Sequence, residues 1–95
     1  MIIEPLDGTL RLAGRLDTIT AKDFSQTVEQ FLPDGGDLHI DCSGLEYVSS
    51  AGLRVLLMVQ KTLMAKGGKL ILAGLKPEVR SVFDMTGFSN ILTLV

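Results

Sequence analysis

Residues 37–53, DLHIDCSGLEYVSSAGL, contain the pattern that decides the fold. Apolar and polar residues alternate over residues 37–42, and this period of two predicts a strand that is covered mainly on one face. The covered face carries Leu38, Ile40 and Cys42, and the other face carries His39 and Asp41. We expect residues 43–44 (SG) to end the strand, and a connection through residues 47–48 to follow it.

Four small residues at positions 49–52 precede a long helix. Apolar residues at helical spacing follow them, which predicts a helix that opens at Ser49 and runs to about Lys66. One face carries Leu53, Leu56, Leu57, Gln60, Leu63 and Met64, and Val55, Met58 and Val59 widen the apolar sector. Such a helix is more enclosed than an ordinary amphipathic one, and Gly67 and Gly68 end it.

The residue pattern in the N-terminal third of the sequence predicts a hairpin and a first helix. Ile2 and Ile3, the turn signal of Asp7 and Gly8, and the alternating residues 9–14 indicate two short strands joined by a tight turn. A helix is predicted to start at Thr20, with Thr20 as the N-cap and Asp23 three residues later. Its apolar stripe is Ala21, Phe24, Val28, Phe31 and Leu32, and residues 33–36 (PDGG) stop it.

The C-terminal third adds a strand, a helix and a final strand or extended tail at residues 91–95. Residues 69–73 (KLILA) form a compact apolar strand, and Pro77 fits the first position of a helix, where its missing N–H would lack a partner anyway. The inward stripe of this helix is predicted to be Val79, Val82, Phe83 and Met85, and Gly87 closes it. The order β-β-α-β-α-β-α-β predicts an α/β fold with parallel crossovers and an antiparallel edge.

Length and composition predict one compact domain over residues 1–95. The chain has 95 residues, of which 46% are hydrophobic and 21% charged, and its formal net charge is −2. No basic run is present, so nucleic acid and anionic membranes are not expected partners. Neither a signal peptide nor membrane insertion is expected, and the single cysteine, Cys42, excludes an internal disulfide. A reducing cytoplasm is therefore the expected compartment.

Residues that could carry catalysis are scarce. The one histidine, His39, lies on the polar side of a strand, and we interpret it as a solvated residue rather than a general base. We interpret Cys42 as a small buried hydrophobic residue, because no adjacent cation would activate its thiol. The paired glycines match neither a phosphate-binding loop nor a dinucleotide fingerprint, and the aspartates match no calcium loop. The sequence thus predicts no enzyme, no cofactor and no metal site.

Residues 47–53 (YVSSAGL) are the candidate functional stretch, and they allow two interpretations. A serine at a helix start commonly satisfies a free backbone N–H, which would make the stretch structural. A contact site is favoured because the small residues leave the hydroxyls accessible, and because partner sites in α/β sheets lie where a strand ends and a helix begins. A phosphate on Ser50 would add about −1.5 to −2 charge at a helix N-terminus, with Arg54 one turn further along. It would act on docking rather than on folding.

Over nearly its whole length the chain resembles the STAS domain of bacterial anti-sigma-factor antagonists. Residues 12–17 (LAGRLD) resemble the family's Gly-x-Leu-Asp segment, and residues 38–44 (LHIDCSG) its central strand. Residues 48–53 (VSSAGL) resemble its Asp-Ser-Ser/Thr-Gly-Leu phosphorylation motif. The family's C-terminal pattern is matched by Gly67, Gly68, Lys69, Leu70, Val79, Val82, Phe83, Thr86, Gly87 and Phe88. The resemblance implies a STAS-type mixed sheet with helices packed mainly on one face.

The resemblance also implies a phosphorylation-controlled switch that binds another protein. Aligned on Gly52 and Leu53, the family's phosphoacceptor is Ser50, which would be modified by a serine kinase that is also the anti-sigma factor and restored by a serine phosphatase. The unphosphorylated form would bind that anti-sigma factor and release the sigma factor. Ser49 stands where well-known members have aspartate, and it is the alternative acceptor. The implied partner-binding residues are Asp17, Ser49, Ser50, Ala51, Gly52, Leu53 and Arg54, although Asp17 is equally interpreted as a turn residue.

Two other functions stay open at this point. The chain also resembles the STAS subunits of lipid-transporting ABC systems, and Ser49 in place of aspartate favours such a constitutive interaction subunit without phosphorylation. Nucleotide binding is a third hypothesis, since some members of the family bind nucleotides, and the missing phosphate loop argues against it.

Overall fold

Residues 1–6 and 8–95, which the computed structural model describes, form five strands, three α-helices and one 3-10 turn. In chain order these elements are β1 (Ile2–Leu6), β2 (Thr9–Leu16), α1 (Thr20–Glu29), β3 (Leu38–Val48), α2 (Ser50–Met64), β4 (Leu70–Ala73), α3 (Pro77–Thr86), the 3-10 turn (Phe88–Asn90) and β5 (Thr93–Leu94). Asp7, one half of the predicted hairpin turn signal, lies outside the described residues.

The five strands lie side by side in chain order and form a single sheet. β1 pairs antiparallel with β2, from Ile2 opposite Ala13 to Leu6 opposite Thr9, and every later neighbouring pair is parallel. Right-handed crossovers that all step in the same direction place their helices on the same face of the sheet. The predicted α/β class, the antiparallel edge and the helix-covered face are confirmed.

β3 is longer than the sequence predicted, because residues 43–44 do not end it and the strand continues to Val48. Its register against β2 shifts twice within residues 11–15 of β2, and β3 holds one extra residue at each shift. Each extra residue changes by one position the alternation of inward and outward side chains. The core-facing residues after Cys42 are therefore Leu45 and Val48, so the interval between inward side chains is three residues rather than two. The expected connection at residues 47–48 is strand.

The hydrophobic core lies between the sheet and the helices. Its largest buried side chains are Phe24 of α1 and Phe83 of α3, and leucines from β2, β3, β4 and α2 make up most of the rest. Four residues predicted for the apolar faces of helices are exposed instead: Phe31 at 37%, Met58 at 57%, Met64 at 60% and Met85 at 84%. Phe31 lies beyond the end of α1, and the three methionines lie on outward sides of α2 and α3.

Gln60, predicted on the apolar face of α2, is a buried polar residue with both ends of its amide satisfied. Its Nε2 donates to the Ile91 carbonyl at 3.1 Å, and its Oε1 accepts the backbone N–H of Leu70 at 2.7 Å. Buried amide groups are tolerated when they are bonded in this way. Gln60 therefore ties α2 to the start of β4 and to the segment before β5.

Two loop glycines hold the loops before β3 and β4 together. A Cβ atom at Gly68 would overlap the backbone carbonyl of Gly36. Because this contact is between main chains, no side chain at position 68 could avoid it by choosing another rotamer. Gly36 and Gly68, which the sequence predicted only as parts of two helix stops, thus also allow the two loops to approach closely.

Candidate functional site

Ser49 is the N-cap of α2. Its Oγ accepts the backbone N–H of Gly52 at 3.2 Å, and its own backbone is extended, with φ −96° and ψ 172°. Its N–H donates to the carbonyl of Leu16 at 2.8 Å. The Ser49 hydroxyl therefore satisfies one of the free N–H groups of the first turn, and the main chain of Ser49 joins the helix start to the end of β2.

Ser50 is the first residue of α2, and its side chain is exposed. Within the part of the chain that the structure describes, its hydroxyl has no hydrogen-bond partner. By helix geometry the backbone N–H groups of Ser50 and Ala51 also lack an intrahelical partner, so this end of α2 favours negative charge. Arg54, one turn further along, is exposed as well. Ser50 thus combines an accessible hydroxyl with an environment suited to an anion.

Gly52 and Leu53 are buried beneath this surface and fix its position. A Cβ atom at Gly52 would lie 2.6 Å from the Leu16 Cγ and 2.9 Å from the Leu16 carbonyl oxygen. The first turn of α2 therefore rests directly against the end of β2, as only glycine permits. Leu53 is 3% exposed and packs in the core. Gly52 and Leu53 were predicted to bind a partner, but both are buried. They support the exposed residues of the site instead of contacting a partner themselves.

A reciprocal pair of hydrogen bonds between Asp17 and Thr20 closes the loop that follows β2. Oδ1 of Asp17 accepts the backbone N–H of Thr20 at 3.0 Å, and Oγ1 of Thr20 accepts the N–H of Asp17 at 2.9 Å. The Thr20 hydroxyl also donates to the Arg15 carbonyl at 2.8 Å. The N-cap of α1 is Ile19, without a side-chain hydrogen bond, and Thr20 lies inside the helix, so the prediction of Thr20 as N-cap with Asp23 as its partner was wrong. The Thr20 hydroxyl bonds to the loop before the helix instead.

The same hydrogen bonds hold Asp17 in its charged form. The pKa of the Asp17 carboxyl is lowered, chiefly by the backbone N–H of Thr20. Desolvation opposes this shift, and the Thr20 hydroxyl, the Ile19 N–H and Arg15 add to it. Its side chain is 30% exposed. Asp17 is therefore both a turn residue and an accessible anion.

Arg15 and Tyr47 form a surface pair next to this loop. The Arg15 Cζ lies 4.2 Å from the centroid of the Tyr47 ring, a cation–π contact, and its Nε lies 3.9 Å from Oδ2 of Asp17. Sequence reasoning missed this pair, because Arg15 is opposite Tyr47 only after both register shifts in β3. An exposed tyrosine next to a cation is typical of interaction surfaces.

Cys42 and His39 lie apart from this surface. Cys42 is 1% exposed, and burial raises the pKa of its thiol to about 12, so it is no nucleophile at neutral pH. His39 is exposed on β3. Among residues 1–6 and 8–95, no group of three or more histidine, cysteine, aspartate or glutamate side chains could hold a metal ion.

No helix within the described part of the chain is both long enough and apolar enough to span a membrane.

Comparison with known proteins finds one family and a consistent set of relatives. A family model described as "Mlab, STAS domain" matches residues 3–95. The chain is 52% identical over 52 residues to "Putative anti-sigma factor antagonist BtrV" of Bordetella bronchiseptica. The aligned residues make up 55% of this chain and 45% of that relative, so the match spans less than half of the relative's length. It is 31% identical over 84 residues to an anti-sigma-B factor antagonist of Listeria monocytogenes, covering 87% of this chain and 74% of the relative.

A solved structure shares the whole fold. The crystal structure of an anti-sigma factor antagonist from Mycobacterium paratuberculosis superposes with a TM-score of 0.80 at 26% identity, over 98% of this chain and 81% of that one. The overall fold of this chain thus also occurs in an anti-sigma factor antagonist.

Proposed function

The chain belongs to the STAS domain family, and from this premise we propose that it is an anti-sigma factor antagonist whose binding to its partner is switched by phosphorylation of Ser50. In its unphosphorylated form it binds an anti-sigma factor that is also a serine kinase, and the sigma factor is released. The proposal makes the chain a regulatory binding protein of the cytoplasm and a substrate of that kinase.

The contrast between the two serines carries the choice of acceptor. The Ser49 hydroxyl is occupied by the N–H of Gly52, whereas the Ser50 hydroxyl is exposed and points away from the core. A kinase can thus reach Ser50 without disturbing a bond on which the helix depends. Ser49 is the alternative acceptor, and its modification would change the oxygen that caps α2.

The proposed modification has simple chemistry. The Ser50 Oγ attacks the γ-phosphorus of ATP, the bond from that phosphorus to the β-γ bridging oxygen breaks, ADP leaves, and the serine proton passes to a base on the kinase. A serine phosphatase restores the hydroxyl by hydrolysis and releases inorganic phosphate. The new group carries about −1.5 to −2 charge at neutral pH.

The location of Ser50 determines what that charge does. At the N-terminus of α2 an anion is favoured by roughly 0.3–1 kcal/mol, and Arg54 lies one turn along. The fold therefore tolerates the phosphate, and the effect falls on a docking partner that must accept the added charge and bulk. Asp17, held in its charged form beside the helix start, adds a second anion to the surface that the partner meets.

Ser49 in place of the family's aspartate is compatible with this proposal. The serine hydroxyl does the capping that an aspartate would do, so the geometry of the acceptor is kept while one negative charge is removed.

The test is phosphorylation of the purified chain by the serine-kinase anti-sigma factor encoded nearest to its gene, with ATP and mapping by mass spectrometry. We expect one phosphate on Ser50, full modification of Ser49→Ala, and none of Ser50→Ala. Modification that persists in Ser50→Ala would refute the acceptor assignment. A kinase that neither modifies nor binds the wild-type chain would refute the switch.

Ser49 also supports a second candidate function, a constitutive interaction subunit of a lipid-transporting ABC system. In that case the exposed surface at Ser50 binds its partner without modification. Affinity purification of the wild-type chain discriminates the two, because a stoichiometric complex with a transporter ATPase and no kinase favours the second candidate.

A further inference from the structure

An apolar groove runs between α1 and α2, about 250 Å³ in volume. Val28, Leu32 and Val55 form part of its floor, and Glu29, Met58 and Thr62 lie along its rim. Met58 is 57% exposed, although the sequence pattern placed it in the apolar sector of α2. The groove thus presents apolar surface to solvent, with one carboxylate beside it.

The groove lies close to Ser50 along the same helix. Met58 is eight residues beyond Ser50, which at 1.5 Å per residue is ~12 Å along the helix axis. Met64 has almost the same exposure, 60%, but lies fourteen residues beyond Ser50 and does not line the groove. At the same rise it is ~21 Å from Ser50 along the axis.

The size of a stable interface decides which of these residues a partner covers. Specific complexes bury about 800 Å² on each partner, which corresponds to a disc of ~16 Å radius. Measured along the axis of α2, a kinase footprint of this radius centred on Ser50 reaches Met58 and the near end of the groove, and it stops short of Met64. A footprint of this size must include Arg54 as well.

We infer that the α1–α2 groove is the second contact point of the anti-sigma factor, which inserts an apolar side chain there and places a basic residue against Glu29. This inference rests on the proposed function, since it takes the anti-sigma factor as the protein that covers Ser50. Methionine suits the role because its flexible, polarisable side chain adapts to an inserted group and is enriched at interface cores. Contacts in the groove then contribute binding energy in either state, while the contact at Ser50 depends on whether Ser50 is phosphorylated.

The test measures binding of the unphosphorylated chain to the serine-kinase anti-sigma factor encoded nearest to its gene, by calorimetry. Met58→Asp places a charge at the groove, Met58→Gln makes the same position polar without charge, and Met58→Leu keeps it apolar. Met64→Asp is the matched control, because it introduces the same charge on the same helix at similar exposure. Thermal unfolding of each variant tests whether it folds.

We expect Met58→Asp to raise Kd at least about tenfold, which corresponds to 1.4 kcal/mol. Met58→Gln should raise Kd in the same direction, while Met58→Leu and Met64→Asp stay within about twofold of wild type. An unchanged Kd for both polar variants at position 58 overturns the inference, and so does an equal loss for Met64→Asp. A wild-type chain that does not bind the anti-sigma factor overturns the proposed function and, with it, the groove's partner.

Discussion

The backbone N–H of Ser49 donates to the carbonyl oxygen of Leu16 at 2.8 Å, which joins the cap of α2 to the last residue of β2. Asp17 directly follows Leu16, so a main-chain hydrogen bond links the two segments of the candidate surface. The link does not depend on any of the side chains that are proposed to meet a partner. Substitutions at Asp17, Ser49 or Ser50 can therefore test one segment without detaching it from the other.

Replacing Ser49 with alanine should destabilise the chain without unfolding it. The variant leaves the Gly52 N–H without its cap, and the loss of an N-cap typically costs about 1 kcal/mol. Ser49→Asp should be at least as stable as wild type, since aspartate caps equally well and adds a favourable charge at the helix start. Urea denaturation at neutral pH measures both variants. Equal stability of Ser49→Ala and wild type would contradict the capping role.

Gly52→Ala should lower the free energy of unfolding, because the overpacking against Leu16 outweighs the gain in helix propensity. The added methyl group meets Leu16, whose side chain is fully buried, and overpacking of this kind costs about 1–3 kcal/mol, against a gain in propensity of at most about 1 kcal/mol. Gly35→Ala is the matched control, because its nearest neighbour would be the Lys66 carbonyl at 3.8 Å, an ordinary contact. Chemical denaturation should show a clear loss for position 52 alone.

Asp17 should contribute to the acid sensitivity of the fold. Its pKa is lower in the folded chain than the ordinary value of 3.8, mainly because of the hydrogen bond from the Thr20 N–H. A lowered folded pKa stabilises the native state above the unfolded pKa, and this contribution is lost as the pH falls from about 4 through the folded value. Denaturation of wild type and Asp17→Asn over that range should show the two stabilities converge. Asp23→Asn, on the exposed side of α1, is the control, and a difference that stays constant with pH would contradict the assignment.

The sequence was sufficient for much of the fold, because hydrophobic period, helix stops and proline position are local signals. Pro77 begins α3, Gly87 follows it, and the strand-helix alternation predicts the parallel crossovers and the antiparallel edge that are found. Local signals could not reveal the two extra residues in β3. Gly14, with φ 96°, and Gly44 lie at the two shifts, but a glycine alone does not show how many residues oppose it, and only the pairing with β2 reveals the bulges.

The same limit applies to the site. The sequence predicted that α2 opens at Ser49, one residue before the observed start at Ser50, and the division of roles between the two serines required the bond to Gly52. Asp17–Thr20 and Thr20–Asp23 have the same spacing of three, so spacing could not choose between them. The Arg15–Tyr47 contact joins two strands and had no signal within either one.

Gln60 should be more important for stability than its position on an apolar face suggests. Gln60→Leu keeps the volume but leaves the Ile91 carbonyl and the Leu70 N–H without partners, which costs about 1–3 kcal/mol. Gln26→Leu, a change of the same kind at an exposed position of α1, should stay within about 0.5 kcal/mol of wild type. Hydrogen exchange at the Leu70 amide provides a local readout. We expect faster exchange there in Gln60→Leu, and unchanged protection would indicate that the bond contributes little.

Ser50→Asp should separate docking from folding. The first turn of α2 contains no acidic residue, and a carboxylate there is favoured by about 0.3–1 kcal/mol, so the variant should be at least as stable as wild type. If the unphosphorylated hydroxyl is what the anti-sigma factor accepts, the same variant should bind it at least about tenfold more weakly, a difference of 1.4 kcal/mol. Ser81→Asp adds the same charge at an exposed position of α3 and should leave Kd unchanged. Calorimetry and urea denaturation on the same samples give both quantities. Weak binding together with lost stability would mean that the charge acts through the fold, whereas weak binding by a fully stable variant is the result that a docking switch requires.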